Sequence, residues 1–218
     1  MHIEFGYGCY DGGVDENNYP HGKGKITYYK ENSTIADGTV EAEWKNGVMV
    51  GAATVDYLDG GIYVGNYDKD NGHRIGYGKM KYADGGEYEG EWKENLRHGK
   101  GALYLEDGSK YVGEFYNDYM HGKGVYYFTN GNIYSGQLVK DFFNGKGKMT
   151  YSNGDVYEGD FVNDKLEGNG TLTTTSGKRY VGEFKGGNIE GKGTLYDKEG
   201  NILYEGMWSA GNPVSKKD

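Results

Sequence analysis

The chain predicts an all-β fold, an elongated single-layer antiparallel sheet made of tandem β-hairpins and bent into a trough. Three observations carry this expectation. A Tyr-x-Gly triplet recurs at Tyr63, Tyr88, Tyr111, Tyr134, Tyr157, Tyr180 and Tyr204, in steps of 25, 23, 23, 23, 23 and 24 residues. A Gly-x-Gly pair begins at Gly76, Gly99, Gly122, Gly145, Gly168 and Gly191, every step being 23. Turn dipeptides punctuate both markers. A strict short period means a linear array of one supersecondary unit, which presents a long surface and seldom builds a catalytic pocket.

The first half of each unit alternates with period 2. Tyr88/Gly90/Trp92, Tyr111/Gly113/Phe115, Tyr157/Gly159/Phe161, Tyr180/Gly182/Phe184 and Tyr204/Gly206/Trp208 fall on one face, and Glu89, Glu91, Glu114, Glu158 and Glu183 fall on the other. This is the pattern of a half-buried strand. The second half reads Gly-x-Gly-x-Φ-x-Φ, as in Gly122/Gly124/Tyr126/Phe128, and predicts a second strand with its apolar residues at the far end. Asn117-Asp118, Asn163-Asp164 and Gly186-Gly187 separate the two strands. Asp107-Gly108, Asn130-Gly131, Asn153-Gly154 and Ser176-Gly177 separate one unit from the next. Both sets predict tight hairpin turns of type I′, whose two central residues need φ > 0.

Strand glycines cost roughly 0.5–1 kcal/mol each relative to alanine. The expected compensation is a ring from a neighbouring strand lying flat on bare backbone, which returns about 1.5–3 kcal/mol. The tyrosine, tryptophan and phenylalanine layer is then expected to line the trough. Lys100, Lys123 and Lys192 are expected to pair across the hairpin with Glu91, Glu114 and Glu183.

Composition narrows the function. Gly (41) and Tyr (23) are abundant and Pro (2) is rare, while 15% aromatic content argues against a disordered glycine-rich chain. A net charge of −9, with the charges interspersed, opposes nucleic acid and anionic headgroups as direct partners. A single cysteine, Cys9, excludes an internal disulfide framework. The first residues have neither a basic nor an apolar leader segment, and no stretch approaches 18 apolar residues. A reduced, cytoplasmic setting is the expectation.

The segments YEGEWKENLRHGKGALYLEDGS and YVGEFYNDYMHGKGVYYFTNGN resemble MORN (membrane occupation and recognition nexus) repeats, with the resemblance covering about Tyr19 to Asn212. It implies stacked hairpins in an elongated single layer. Read this way, 1–20 is an N-terminal capping strand and loop, 21–212 the repeat array and 213–218 a tail. Seven full repeats occupy 39–201, with half-repeats on either side. The Thr39–Gly61 copy is degenerate: Val40, Ala42 and Trp44 replace Tyr, Gly and aromatic, and Gly51-Ala52-Ala53 replaces Gly-Lys-Gly. Two extra residues fall within Asp68–His73, and one precedes Tyr204. Both ends of such a sheet are open, so a homodimer through sheet edges is one expectation.

No motif points to catalysis, a cofactor or a metal. His21, His98 and His121 precede Gly-Lys-Gly, but equivalent positions in adjacent hairpins lie about 9–10 Å apart, too far to share one ion. Asp68 and Asp70 lack the spacing of a calcium loop. The expected function is a non-enzymatic scaffold that seats a peptide or helix of a partner protein in an aromatic-lined groove. Its contact strip is Tyr88, Trp92, Tyr111, Phe115, Tyr126, Phe128, Tyr134, Tyr157 and Phe161. The resemblance also implies alternatives: a membrane-associated tether acting through a partner, peripheral to membrane or cytoskeleton, or a regulatory subunit of an enzyme.

Overall fold

The computed structural model of the chain describes residues 1–5, 8–29 and 36–214. The chain divides into two compact units, Met1–Glu106 and Asp107–Asp218. The first holds β1 (His2–Phe5), β2 (Gly8–Val14), β3 (Pro20–Tyr29), β4 (Ala36–Lys45), β5 (Val48–Tyr57), β6 (Ile62–Tyr67), β7 (Arg74–Lys81), β8 (Glu87–Lys93) and β9 (Leu96–Tyr104). The second holds β10 (Lys110–Tyr116), β11 (Tyr119–Tyr127), β12 (Ile133–Val139), β13 (Phe142–Thr150), β14 (Val156–Val162), β15 (Lys165–Thr173), β16 (Arg179–Lys185), β17 (Asn188–Tyr196), β18 (Ile202–Ser209) and β19 (Asn212–Pro213). Within each unit every strand pairs antiparallel with the next in sequence, a meander with no crossover. No helix occurs among the described residues.

Two kinds of turn alternate, and only one is the expected type I′. Within a hairpin both central residues have φ > 0: Asn117 (49°) and Asp118 (70°), Lys140 (49°) and Asp141 (72°), Asn163 (46°) and Asp164 (68°). Between hairpins only the glycine does, as at Gly131 (84°) and Gly154 (90°). There the loop has three residues. Gly154 N–H donates to Tyr151 O (2.8 Å) and Tyr151 N–H to Asp155 O (2.9 Å), which is a type I turn closed by a left-handed glycine. The Asn or Asp before that glycine stays at negative φ, because its carboxylate or amide oxygen accepts the N–H two residues on, as in Asn153 from Asp155 (3.0 Å).

The turn inside each hairpin also fastens it to the preceding one. Asp141 Oδ1 accepts from Met120 N–H (2.8 Å), Asp164 Oδ1 from Phe143 N–H (2.7 Å) and Asn95 Oδ1 from Arg74 N–H (2.8 Å). The turn amides donate back: Asp141 N–H to Met120 O (3.0 Å) and Asp164 N–H to Phe143 O (3.1 Å). Hairpins are thus joined beyond the strand ladder.

The three glycines of a unit have two jobs. Register slips between Gly113, opposite Gly124, and Glu114, opposite His121, so Gly122 and Lys123 bulge out between them. Gly122, at φ 64°, supplies the left-handed residue that the bulge requires. Gly113 and Gly124 face each other across the ladder beneath one ring, that of Tyr111. For Gly124 the ring comes from the neighbouring strand, as the sequence pattern suggested, whereas for Gly113 it comes from the same strand, two residues back. A side chain at i and bare backbone at i+2 share a face, so the tyrosine folds along its own strand. It spans both glycines, and its hydroxyl donates to Glu114 O (3.0 Å).

The Asp68–His73 insertion forms a closed polar turn. Asp68 Oδ1 accepts from Asp70 N–H (2.9 Å) and Asn71 N–H (3.2 Å), and Asp70 pairs with Lys69 (2.6 Å). The extra residue before Tyr204 becomes a bulge at Leu203, where register slips between Leu195–Tyr204 and Tyr196–Ile202.

Candidate partner-binding surface

The ring-over-glycine arrangement recurs along both units. The hydroxyl donates three residues ahead at Tyr10 to Gly13 O (2.9 Å), Tyr63 to Asn66 O (3.3 Å) and Tyr88 to Glu91 O (2.9 Å). In the second unit it does so at Tyr134 to Gln137 O (2.7 Å), Tyr157 to Asp160 O (2.9 Å) and Tyr180 to Glu183 O (3.1 Å). Four residues after the tyrosine, Trp92, Phe161, Phe184 and Trp208 pack edge-on, both on their own tyrosine and on that of the preceding hairpin, while Val14 and Leu138 hold that place after Tyr10 and Tyr134. Phe161 lies 5.3 Å from Tyr157 and 5.0 Å from Tyr134. Phe184 lies 5.4 Å from Tyr180 and 4.8 Å from Tyr157. Trp92 lies 5.1 Å from Tyr88 and 5.4 Å from Tyr63, its indole N–H donates to Gly78 O (3.1 Å), and the Arg74 guanidinium covers its ring at 4.3 Å. Such edge-to-face contacts favour the ring quadrupoles and build runs of an aromatic ladder within each unit.

That ladder consumes most of the contact strip expected from sequence. Tyr88, Trp92, Tyr111, Phe115, Tyr134, Tyr157 and Phe161 are no more than 4% exposed. They form the core of the sheet and offer almost no surface to a partner. Tyr126 and Phe128 are half-buried, with rings 4.7 Å apart, and the Tyr126 hydroxyl is held by Ser109 Oγ (2.9 Å). Burial pushes the ladder tyrosines above their usual pKa: Tyr63 and Tyr134 to about 12, and Tyr10, Tyr111, Tyr157 and Tyr180 also upward.

Surface depressions lie on the opposite face, contrary to the expected aromatic trough. In the second unit Val112, Val125, Ser135, Lys148, Glu158, Thr171, Val181 and Thr194 run in one cross-strand row. A depression of about 630 Å³ is bounded there by Ser135, Lys146, Lys148, Glu158, Asn169, Thr171 and Val181, over the backbone of Gly147, Gly159, Gly170 and Gly182. A second, of about 470 Å³, shares Ser135 and Lys146 and extends to Lys123, Val125 and Gln137. The first unit carries one of about 490 Å³, lined by Asp11, Lys23, Lys25, Glu41, Ala42, Glu43 and Ala52. Tyr127 and Tyr104, on this same face of their own units, are 42% and 41% exposed, and Arg179 lies over Tyr196 at 4.2 Å. Large side chains sit along the loop ends of the strands, while small ones and glycine backbone make the floor.

Charge on this face is paired across neighbouring strands. Lys146 meets Asp160 (2.6 Å) and Lys148 meets Glu158 (2.7 Å). In the first unit Lys79 meets Glu87 (2.6 Å) and Lys25 meets Glu41 (3.1 Å). The pairing of Lys100 with Glu91 expected from sequence takes another form. Glu91 Oε1 accepts from the backbone N–H of Lys100 (2.9 Å), and Asp160 Oδ2 likewise from Asn169 N–H (3.2 Å), so the acid secures the bulge and leaves the amine to solvent. His98 and His121 stand opposite Glu91 and Glu114 in register, at the bulges of their own hairpins.

The MORN repeat model matches eight consecutive segments: 10–33, 41–62, 63–87, 88–110, 111–133, 134–156, 157–179 and 180–202. The chain belongs to the MORN repeat family. Each matched segment from residue 63 onward begins at the tyrosine that covers the glycines, so the unit recognised in sequence is also the packing unit. No curated protein matches this MORN chain. Among solved structures it is similar to the G-box domain of the microcephaly protein CPAP, at 11% identity and a TM-score of 0.52, covering 88% of this chain and 96% of that one. It also resembles the SAS-4 (dCPAP) TCP domain of Drosophila melanogaster in complex with a proline-rich motif of Ana2, at 16% identity and a TM-score of 0.45, covering 72% and 83%. The likeness to the G-box domain is one of sheet architecture. No helix among the described residues is long and apolar enough to cross a membrane.

Proposed function

We propose that this MORN array is a non-catalytic protein-interaction scaffold, and that an extended segment of a partner protein lies in the depressions on the face opposite the tyrosine ladder. The observation that carries this reading is the division of labour between the faces. One face spends its rings on its own core, while the other keeps an uncovered floor of Val125, Ser135, Thr171 and Val181 beside exposed Tyr127. An extended peptide gains from such a floor by seating alternate side chains, and a tyrosine that becomes buried against a partner is among the residues that contribute most to binding energy. Tyr126 and Phe128, the two members of the expected strip with ring surface left, support a second reading in which a partner helix rests on the ladder side.

The two readings separate by photocrosslinking. A crosslinking residue at 171 or at 126 in the full chain is exposed to native lysate. A protein captured from 171 and lost when Val181→Trp fills the floor, with the fold intact, supports the proposal. Capture from 126 that Tyr126→Ala/Phe128→Ala abolishes and Val181→Trp leaves unchanged assigns the ladder side. The scaffold reading fails if neither position captures anything above a scrambled-repeat control.

A further inference from the structure

The first hairpin brings together three side chains that the repeat does not require. β1 and β2 pair with His2 directly opposite Asp11 and Glu4 opposite Cys9, so all four fall on one face. The ligand atoms of His2, Cys9 and Asp11 lie within 4.8 Å of one another, the one such group of three among the described residues. His2 Nδ1 is 2.7 Å from Asp11 Oδ1. Cys9 is buried beneath them, with its sulfur 3.7 Å from the Tyr29 hydroxyl. The glycine-covering tyrosine of this repeat, Tyr10, points to the other face and takes no part.

We propose that His2, Cys9 and Asp11 form a binding site for a divalent transition ion of the zinc type. A thiol, an imidazole and a carboxylate are a donor set suited to zinc or cobalt and poorly suited to calcium or magnesium. Ligand bonds of about 2.0–2.3 Å place tetrahedral ligand atoms about 3.3–3.8 Å apart. His2 and Asp11 stand closer than that and no separation in the trio exceeds 4.8 Å, so side-chain rotation suffices to seat an ion. His2 and Asp11 open slightly, and Cys9 turns inward and releases its proton to solvent. Three protein ligands leave the fourth position to water or to Glu4, whose carboxylate lies 4.0 Å from His2 Nε2. The bound ion ties β1 to β2, the one strand that β1 pairs with among the described residues. It would do for this terminal hairpin what the Asp and Asn turn contacts do for later ones.

The test titrates Co²⁺ into the reduced full chain, which carries no N-terminal tag and no polyhistidine. The expected result is a thiolate-to-cobalt charge-transfer band, with the intense visible bands of tetrahedral cobalt, saturating at one ion per chain and abolished by excess Zn²⁺. Cys9→Ser removes the band. His2→Ala and Asp11→Asn each weaken binding by about tenfold or more, the scale on which metal-site partners act. Cys9 is the chain's one cysteine, so Zn²⁺ should also slow its alkylation in wild-type protein without any substitution. Near-ultraviolet circular dichroism of the adjacent Tyr10–Trp44 pair (centroids 5.9 Å apart) verifies the fold of each variant. Absence of the band in folded wild-type chain overturns the proposal. So does an affinity that either His2→Ala or Asp11→Asn leaves unchanged, since the thiol would then be acting without the full ligand set.

Discussion

Replacing Gly124 by alanine isolates the packing relation on which the fold rests. Gly124 has ordinary extended backbone, so alanine would normally stabilise the strand by about 0.5–1 kcal/mol. Here a Cβ would stand 2.5 Å from Tyr111 Cζ, with the neighbouring Cε2 and hydroxyl oxygen closer still. Those three ring atoms are its nearest neighbours, so the ring must leave. Tyr111 is fully buried, and lifting it forfeits about 1.5–3 kcal/mol of burial. Its hydroxyl bond to Glu114 O contributes a further 0.5–1.5 kcal/mol, roughly. The net expected loss is about 1–4 kcal/mol from these terms. In a Tyr111→Ala background the obstacle is gone, and Gly124→Ala should instead stabilise by about 0.5–1 kcal/mol. Urea unfolding of the four proteins of this double-mutant cycle reads both signs. Equal effects of Gly124→Ala in the two backgrounds would refute the ring-over-glycine account. The chain already contains a version of this experiment. In the repeat where Val40 replaces the tyrosine, the equivalents of Gly113 and Gly124 are Ala42 and Ala53, while the bulge glycine, Gly51 at φ 75°, remains.

Other outcomes follow from the same geometry. Gly122→Ala should cost about 1–2 kcal/mol through its left-handed backbone, besides displacing the Glu114 carboxylate, and Tyr111→Ala should not relieve that cost, as urea unfolding would show. Asp141→Ala removes the acceptor for Met120 N–H and should lower stability by about 1 kcal/mol or more, whereas Asp141→Asn should retain most of it; amide exchange at Met120 reports the bond directly. Alkaline pH should unfold the array. Tyr63 and Tyr134 are raised to about 12 in the folded state against about 10 unfolded, so the unfolded chain releases protons first and stability falls as pH rises from 10 through 12. The limiting slope is about 1.4 kcal/mol per tyrosine per pH unit. Circular dichroism should show loss of the sheet in that window, and unchanged stability to pH 12 would contradict the burial assigned to these rings.

The amino-acid sequence by itself determined the hairpin unit, its 23-residue period, the antiparallel meander and the one-face placement of Tyr, Gly and aromatic. It could do so because each depends on local alternation and turn chemistry repeated in register. Tyr88, Trp92 and Phe115 were likewise legible as one aromatic layer. Tertiary structure decided what that layer is for. Whether a ring on a sheet face is core or contact surface depends on what the next hairpin lays against it, and Phe161 against Tyr134 settles this through an approach that no single unit encodes. The direction of the tyrosine ring also lay beyond the periodicity, since lying along its own strand and reaching to the next strand place Tyr111 on the same face. The split of each glycine triplet into one bulge residue and two covered residues became visible only with the slip between Gly113 and Glu114. The cross-hairpin roles of Asn95, Asp141 and Asp164 were hidden for a related reason: a turn residue reads as serving its own turn until the preceding hairpin is in place to donate to it. The approach of His2, Cys9 and Asp11 depends on the register of β1 with β2, which falls outside the repeat and so outside the pattern that made the rest readable.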